Sequence, residues 1–263
     1  MDMKTRTPRT TLAMAIGISS LVASAIATAD IAPPRPQAPA APAARAAGDA
    51  AARAVAARVQ SFYDQIQTLE ARFHQTYFNK LYNNYQRSHG RVVFRKPGKM
   101  YWQYDEPNGK ILVSDGQRIL AYEPGDPRDA ANPNGPREPG QVVEIPMANS
   151  ELPAALSFLT GTGRLEDQFN FRLLDAAQQG FAAGDVLELR PKRPTPHYEK
   201  VLFYVSRREA GGRVAGIVER VLIIDHAGNR NRFDFQRLNW STPQADEVLF
   251  RWQPPAGTRR VTP

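Results

Sequence analysis

Apolar and polar residues alternate with a period of two through residues 90–122, and turn residues interrupt the alternation every few positions. Gly90, Val92 and Phe94 fall on one side of the first run, with Arg91, Val93 and Arg95 on the other. Lys96-Pro97-Gly98-Lys99 ends that run, because proline removes a backbone donor and glycine accepts a positive φ. Met100, Trp102 and Tyr104 share a face of the next run, and Glu106-Pro107-Asn108-Gly109 turns the chain again. Residues 111–114, the pair Asp115-Gly116 and residues 119–122 read as a hairpin. This stretch predicts four antiparallel strands in a meander.

Upstream the period is 3.6. Val55, Val59, Phe62, Ile66 and Leu69 recur at spacings of three and four, which predicts an amphipathic helix starting near Asp49. The period then falls to two over residues 71–78, a first strand. Residues 124–139 are proline-rich and read as a long loop, followed by a short strand at 142–145. Residues 152–159 (LPAALSFL) read as a short apolar helix with Pro153 in its first turn. That helix is either buried core or a plug over a hydrophobic opening. Further strands are expected near 185–190, 200–207, 214–225, 231–239 and 248–252. The whole is mainly β with helices (α+β): one strongly curved antiparallel sheet of ten or eleven strands wrapped around helices.

The first 29 residues have a basic start (Lys4, Arg6, Arg9), an apolar run and small residues at Ala25, Ala27 and Ala29, the pattern of a cleaved signal peptide. An uncleaved anchor fits less well, since a spanning helix needs about 20 apolar residues. Residues 30–48 are rich in Pro and Ala and read as a disordered tether, leaving 49–263 as a single domain. The chain has no cysteine, hence no thiolate metal site and no residue to carry a lipid anchor, so the exported product is expected to be soluble. Its net charge of +8 falls to +6 when the leader takes away three basic residues and one acidic one. The basic excess is scattered, which excludes a nucleic-acid-binding stripe but suits a rim facing an anionic membrane or acidic protein.

No catalytic constellation emerges. His74, His89, His197 and His226 lack metal-ligand spacing, and Ser114-Asp115-Gly116 lacks the nucleophile elbow and sits at a tight turn. No catalytic, metal or cofactor residues are assigned. What stands out is the apolar inventory of one sheet: Phe73, Phe94, Met100, Trp102, Tyr104, Leu112, Leu120, Tyr122, Phe233, Phe235 and Phe250. A concave face of this kind left partly open would take acyl chains, each buried CH₂ contributing about 0.8 kcal/mol. These residues are the candidate acyl-cavity lining.

Several blocks together resemble the LolA family of periplasmic lipoprotein carriers: LEARFHQTY (69–77), GRVVFRKPGKMYWQYDEP (90–107), ILVSDGQRILAYEP (111–124), LPAALSFLTG (152–161), FDFQRLNW (233–240) and VLFRWQPPAG (248–257). The resemblance implies an incomplete barrel of about eleven strands closed by a helical lid. It implies a monomeric carrier, with no nucleic acid and no cofactor, that takes acylated lipoproteins from an inner-membrane ABC transporter to an outer-membrane receptor. Phe94, Met100, Trp102 and Tyr104 would lie near the cavity, and Leu152, Leu156, Phe158 and Leu159 would form the lid. The family often has arginine before the proline of the first turn, where it holds the lid. Here that position is Lys96, with Arg95 one place earlier, and these two are the gating or docking candidates. A carrier of another lipid or glycolipid would use the same cavity.

Overall fold

The computed structural model describes residues 42–125, 139–146, 161, 163–210, 212–243 and 245–261. Helix α1 (Pro42–Gln65) leads into the hairpin β1 (Thr68–Asn79) and β2 (Asn84–Arg95). The meander continues through β3 (Lys99–Tyr104), β4 (Ile111–Asp115), β5 (Arg118–Glu123) and β6 (Gln141–Pro146). A single helical turn, α2 (Leu165–Gln168), precedes β7 (Phe169–Leu174), β8 (Gly184–Pro191) and β9 (Lys200–Ser206). A two-residue ribbon, β10 (Glu209–Ala210) and β11 (Arg213–Val214), is followed by β12 (Ile217–Ile224) and β13 (Arg230–Asn239). A 3-10 turn (Glu247–Arg251) and β14 (Arg259–Val261) end the described chain.

Twelve strands form one sheet in the order β14-β6-β5-β4-β3-β2-β1-β13-β12-β9-β8-β7. This overturns the expected strongly curved barrel of about eleven strands under a helical lid. The sheet is open and not strongly curled, with β7 and β14 at opposite edges. It is also mixed: β14, read from sequence as a basic tail, pairs with β6 in parallel. Alternation specifies which segments become strands, whereas closure depends on tilt and stagger that no local pattern encodes. The segment expected to supply the lid, with Leu152, Leu156, Phe158 and Leu159, lies outside the described residues, as do the expected leader and most of the tether. The last residues of the tether are helical, since α1 begins at Pro42 rather than near Asp49. Proline suits a first helical turn, where its missing N–H would have no partner.

Helix α1 lies on one face of the sheet. Ala52, Val55, Ala56, Val59 and Tyr63 are buried there against Leu187, Phe203, Val205, Val218 and Val221. The opposite face carries two smaller clusters. Val93, Tyr101 and Val113 pack under Phe250 of the 3-10 turn, and Val186, Leu202 and Tyr204 pack under Phe181.

Four contacts seat α1. Gly216 lies flat against the helix, and a Cβ there would stand 2.3 Å from the Val59 nitrogen. The Val218 N–H donates to the Tyr63 hydroxyl at 3.2 Å. Lys96 Nζ donates to the Tyr63 carbonyl, one of the acceptors left over in the last helical turn. Asp185 accepts from Arg58 of α1 and from Arg207.

Burial alone would raise the Asp185 carboxyl, but the hydrogen bonds from Arg207 and Arg58 outweigh it and hold the group below its ordinary value. A depressed carboxylate stabilises the fold above its unfolded pKa, and that stability is lost as pH falls through the folded one. Stability should therefore decline below about pH 4, with a shallower decline in Asp185→Asn, read as melting temperature against pH. Gly216→Ala should cost about 1–3 kcal/mol by forcing the helix outward; an unchanged urea midpoint would show that α1 does not rest on this glycine.

Candidate functional site

The α1 face of the sheet gathers most of the expected lining. Strand register puts Phe94 opposite Met100 and Trp102 opposite Val92 and Leu112. Phe73 lies opposite Phe235 and Gly90. Gly90 is required there, because a Cβ would come within 2.7 Å of the Phe73 ring. Trp102 stands at the centre, 4.8 Å from Phe73, 5.2 Å from Phe233, 6.0 Å from Phe94 and 6.3 Å from Phe235 between ring centroids. Tyr104 meets Phe73 edge-on at 5.0 Å. Met100, Phe94 and Phe73 are buried, while Tyr104 and Leu112 are partly so.

This layer contains one polar anomaly. The Trp102 indole N–H is buried without a hydrogen bond of good geometry among the described residues. Its polar neighbour is the Tyr104 hydroxyl, whose pKa burial pushes up to about 12, partly offset by the indole.

Three lining candidates lie elsewhere. Leu120 pairs with Val113 and Tyr122 with Ile111, so both point to the face opposite α1. Phe250 is in the 3-10 turn on that same far face, and Tyr122 stacks near Trp252 there at 5.3 Å. The gating candidates diverge as well. Arg95 points away from Phe94 and pairs with Glu247 at 2.8 Å, an acceptor it shares with Lys99. Lys96 reaches the C-terminal end of α1 instead, and its side chain lies against Gly161. Desolvation lowers the Lys96 ammonium pKa, with Asp64 opposing.

Two concavities bear on binding. Inside the core, a void of about 10 Å³ lies among Tyr63, Phe94, Val221 and Phe235, room for about one water. Outside, a cleft of about 880 Å³ runs between α1 and the α2–β7 edge. Its walls carry Arg53, Gln60, Asp64, Arg164, Glu166 and Lys192. Its floor is apolar: Ala56, Leu165 and Phe169 line the cleft and also belong to the core beneath α1. The Leu165 N–H donates to Gln60 Oε1 at 2.9 Å, one polar link spanning helix and edge. Sequence reasoning missed this cleft. Nothing local marks Gln60 and Leu165 as neighbours across more than 100 residues.

Residues 64–129 match the family described as outer membrane lipoprotein carrier protein LolA. An outer-membrane lipoprotein carrier protein of Nitrosospira multiformis is 30% identical over 199 residues, covering 76% of this chain and 84% of that one. The chain belongs to the LolA family. Its counterpart in Nitrosomonas europaea is 26% identical with the same coverage. A solved LolA superfamily protein from that organism overlaps 76% of this chain and 96% of its own at 11% identity, with a TM-score of 0.41; so low a score bears on neither fold nor function. Membership in the LolA family makes the chain a periplasmic carrier in lipoprotein sorting, not an enzyme.

Trp102 packs on four aromatic rings, so Trp102→Ala should cost about 3–5 kcal/mol in urea unfolding. A cost below about 1 kcal/mol would show the ring to be loosely held.

Proposed function

We propose that this chain shields the acyl chains of lipoproteins, receiving them from an ABC transporter of the inner membrane and releasing them to a receptor at the outer membrane. One observation carries the reading: the aromatic layer around Trp102 and the floor of the cleft belong to a single apolar core. Acyl chains would enter by the cleft and part α1 from the sheet, replacing contacts between Val59, Tyr63 and the sheet with contacts to lipid.

The exchange is feasible because both states bury apolar surface. Each CH₂ removed from water contributes about 0.8 kcal/mol, which offsets the helix–sheet contacts given up. The void of about 10 Å³ in the core is far too small for a chain, so loading requires that displacement. Release is the reverse step, driven by α1 reseating.

The test is to purify the mature protein from cells depleted of the outer-membrane receptor and identify what it holds by mass spectrometry. Acylated lipoprotein is the expected cargo. Phe94→Leu, on the α1 face, should reduce retention several-fold, whereas Phe250→Leu, on the far face, should leave it unchanged. Recovery of a different lipid class would shift the reading to a carrier for that lipid. Equal effects of the two variants would detach binding from the α1 face.

A further inference from the structure

The β1–β2 hairpin runs past β3, whose pairing ends at Gly90, is accompanied by β13 as far as Phe78, and ends in a tip made of Lys80, Leu81, Tyr82 and Asn83. Leu81 is 82% exposed, Tyr82 65% and Tyr85 58%, the three most exposed large apolar side chains of the β1–β2 region. Single exposed apolar residues are ordinary; a cluster at a protruding tip is not. The tip is nonetheless fixed in shape. Asn79 Oδ1 accepts from the Tyr82 N–H at 3.1 Å, and Asn229 Oδ1 accepts from the Lys80 N–H at 2.9 Å. Asn83 takes a left-handed φ of 48° that closes the turn.

Charge around the tip is predominantly basic. Residues 77–87 and the adjoining 226–232 contain no aspartate or glutamate, but do contain Lys80, Arg87, Arg230 and Arg232, the last paired with Asp234 at 2.8 Å. The neighbouring Asp225 accepts from the backbone and side chain of Asn229. In register, Phe78, Tyr85 and Arg230 form one cross-strand row, and Thr76, Arg87 and Arg232 the next, so aromatics and arginines share one face. The Phe78 and Tyr85 rings are 4.7 Å apart, and Arg87 stands over Tyr85 at 5.7 Å. Among the described residues Lys80, Arg87 and Arg230 form no ion pair.

We propose that this tip docks the carrier on anionic phospholipid bilayers, Leu81 and Tyr82 entering the headgroup zone while Lys80, Arg87 and Arg230 hold the charged surface. Tyrosine suits that zone because its ring is apolar and its hydroxyl stays wet. Each basic residue near an anionic surface contributes about fivefold in affinity. An acidic protein surface would satisfy the arginines but would leave Leu81 and Tyr82 without a pocket. The proposal rests on the carrier reading, since a carrier exchanges cargo at membranes, but its test needs no cargo.

The assay is flotation of the empty mature protein with vesicles of equal parts phosphatidylglycerol and phosphatidylethanolamine, against vesicles of phosphatidylcholine alone. Binding is expected on the anionic vesicles only and should weaken with salt. The double variant Leu81→Asp/Tyr82→Asp and the triple variant K80E/R87E/R230E should each lose at least about tenfold, given the fivefold contribution per charge. All five positions are on the surface, and circular dichroism confirms folding of each variant. In parallel, Tyr82→Trp should show an emission blue shift on anionic vesicles beyond that of the parent. Equal binding to both vesicle types, binding indifferent to both variants, or a Tyr82→Trp emission that does not move would each overturn the proposal. Loss of binding to the transporter's periplasmic domain in these variants, without vesicle binding, would assign the tip to a protein partner instead. Failure here leaves cargo retention, measured separately, untouched.

Discussion

Everything else in this fold depends on how α1 sits on the sheet. The helix covers the β7–β8–β9–β12 half with a stripe of Ala, Val and Tyr side chains, and small residues keep it close. Gly216 lets backbone meet backbone, Tyr63 spends its hydroxyl on the N–H of Val218, and Asp185 ties Arg58 to Arg207. Lys96, in the β2–β3 turn, closes the C-terminal end of the helix. These contacts are few and mostly polar at the rim, with the apolar layer between them.

Much of the architecture was legible in the chain itself. The period-two runs of residues 90–122 became β2 to β5 within a few residues, and turns fell at Lys96–Lys99 and Asp115–Gly116 as Pro, Gly and Asp dictate. The α1-facing set around Trp102 followed from alternation alone. The errors at Leu120 and Tyr122 were of parity. Any two-residue turn pairs even positions with odd ones, so Leu112 shares its face with Ala121, not with Leu120. Phe250 was read as strand because VLF is apolar, but Asp246 accepts from the Val248 N–H and starts a 3-10 turn. The parallel pairing of β14 was invisible for a different reason. It joins segments separated by more than 100 residues, such as Arg259 and Gln141, through backbone groups common to every sequence.

The site shows the same division. Sequence supplied the apolar layer but not the cleft, because the cleft exists only where α1 passes the α2–β7 edge. That passage opens to solvent above a floor that belongs to the same apolar core as the layer. It also places charged walls outside and apolar floor inside, the order in which an amphiphile would meet them. The Gln60–Leu165 hydrogen bond spans the passage at its apolar floor.

The most direct measurement closes that passage. The chain lacks cysteine, so Gln60→Cys and Arg164→Cys can be joined specifically by a short cleavable thiol crosslinker across the cleft. Loading of a fluorescent fatty acid, and of acylated lipoprotein, is then compared before crosslinking, after it and after cleavage. The account predicts that loading stops when helix and edge are tied and returns on cleavage, with the fold intact throughout. Undiminished loading of the crosslinked protein would contradict it, because acyl chains would then reach their site without parting α1 from the sheet.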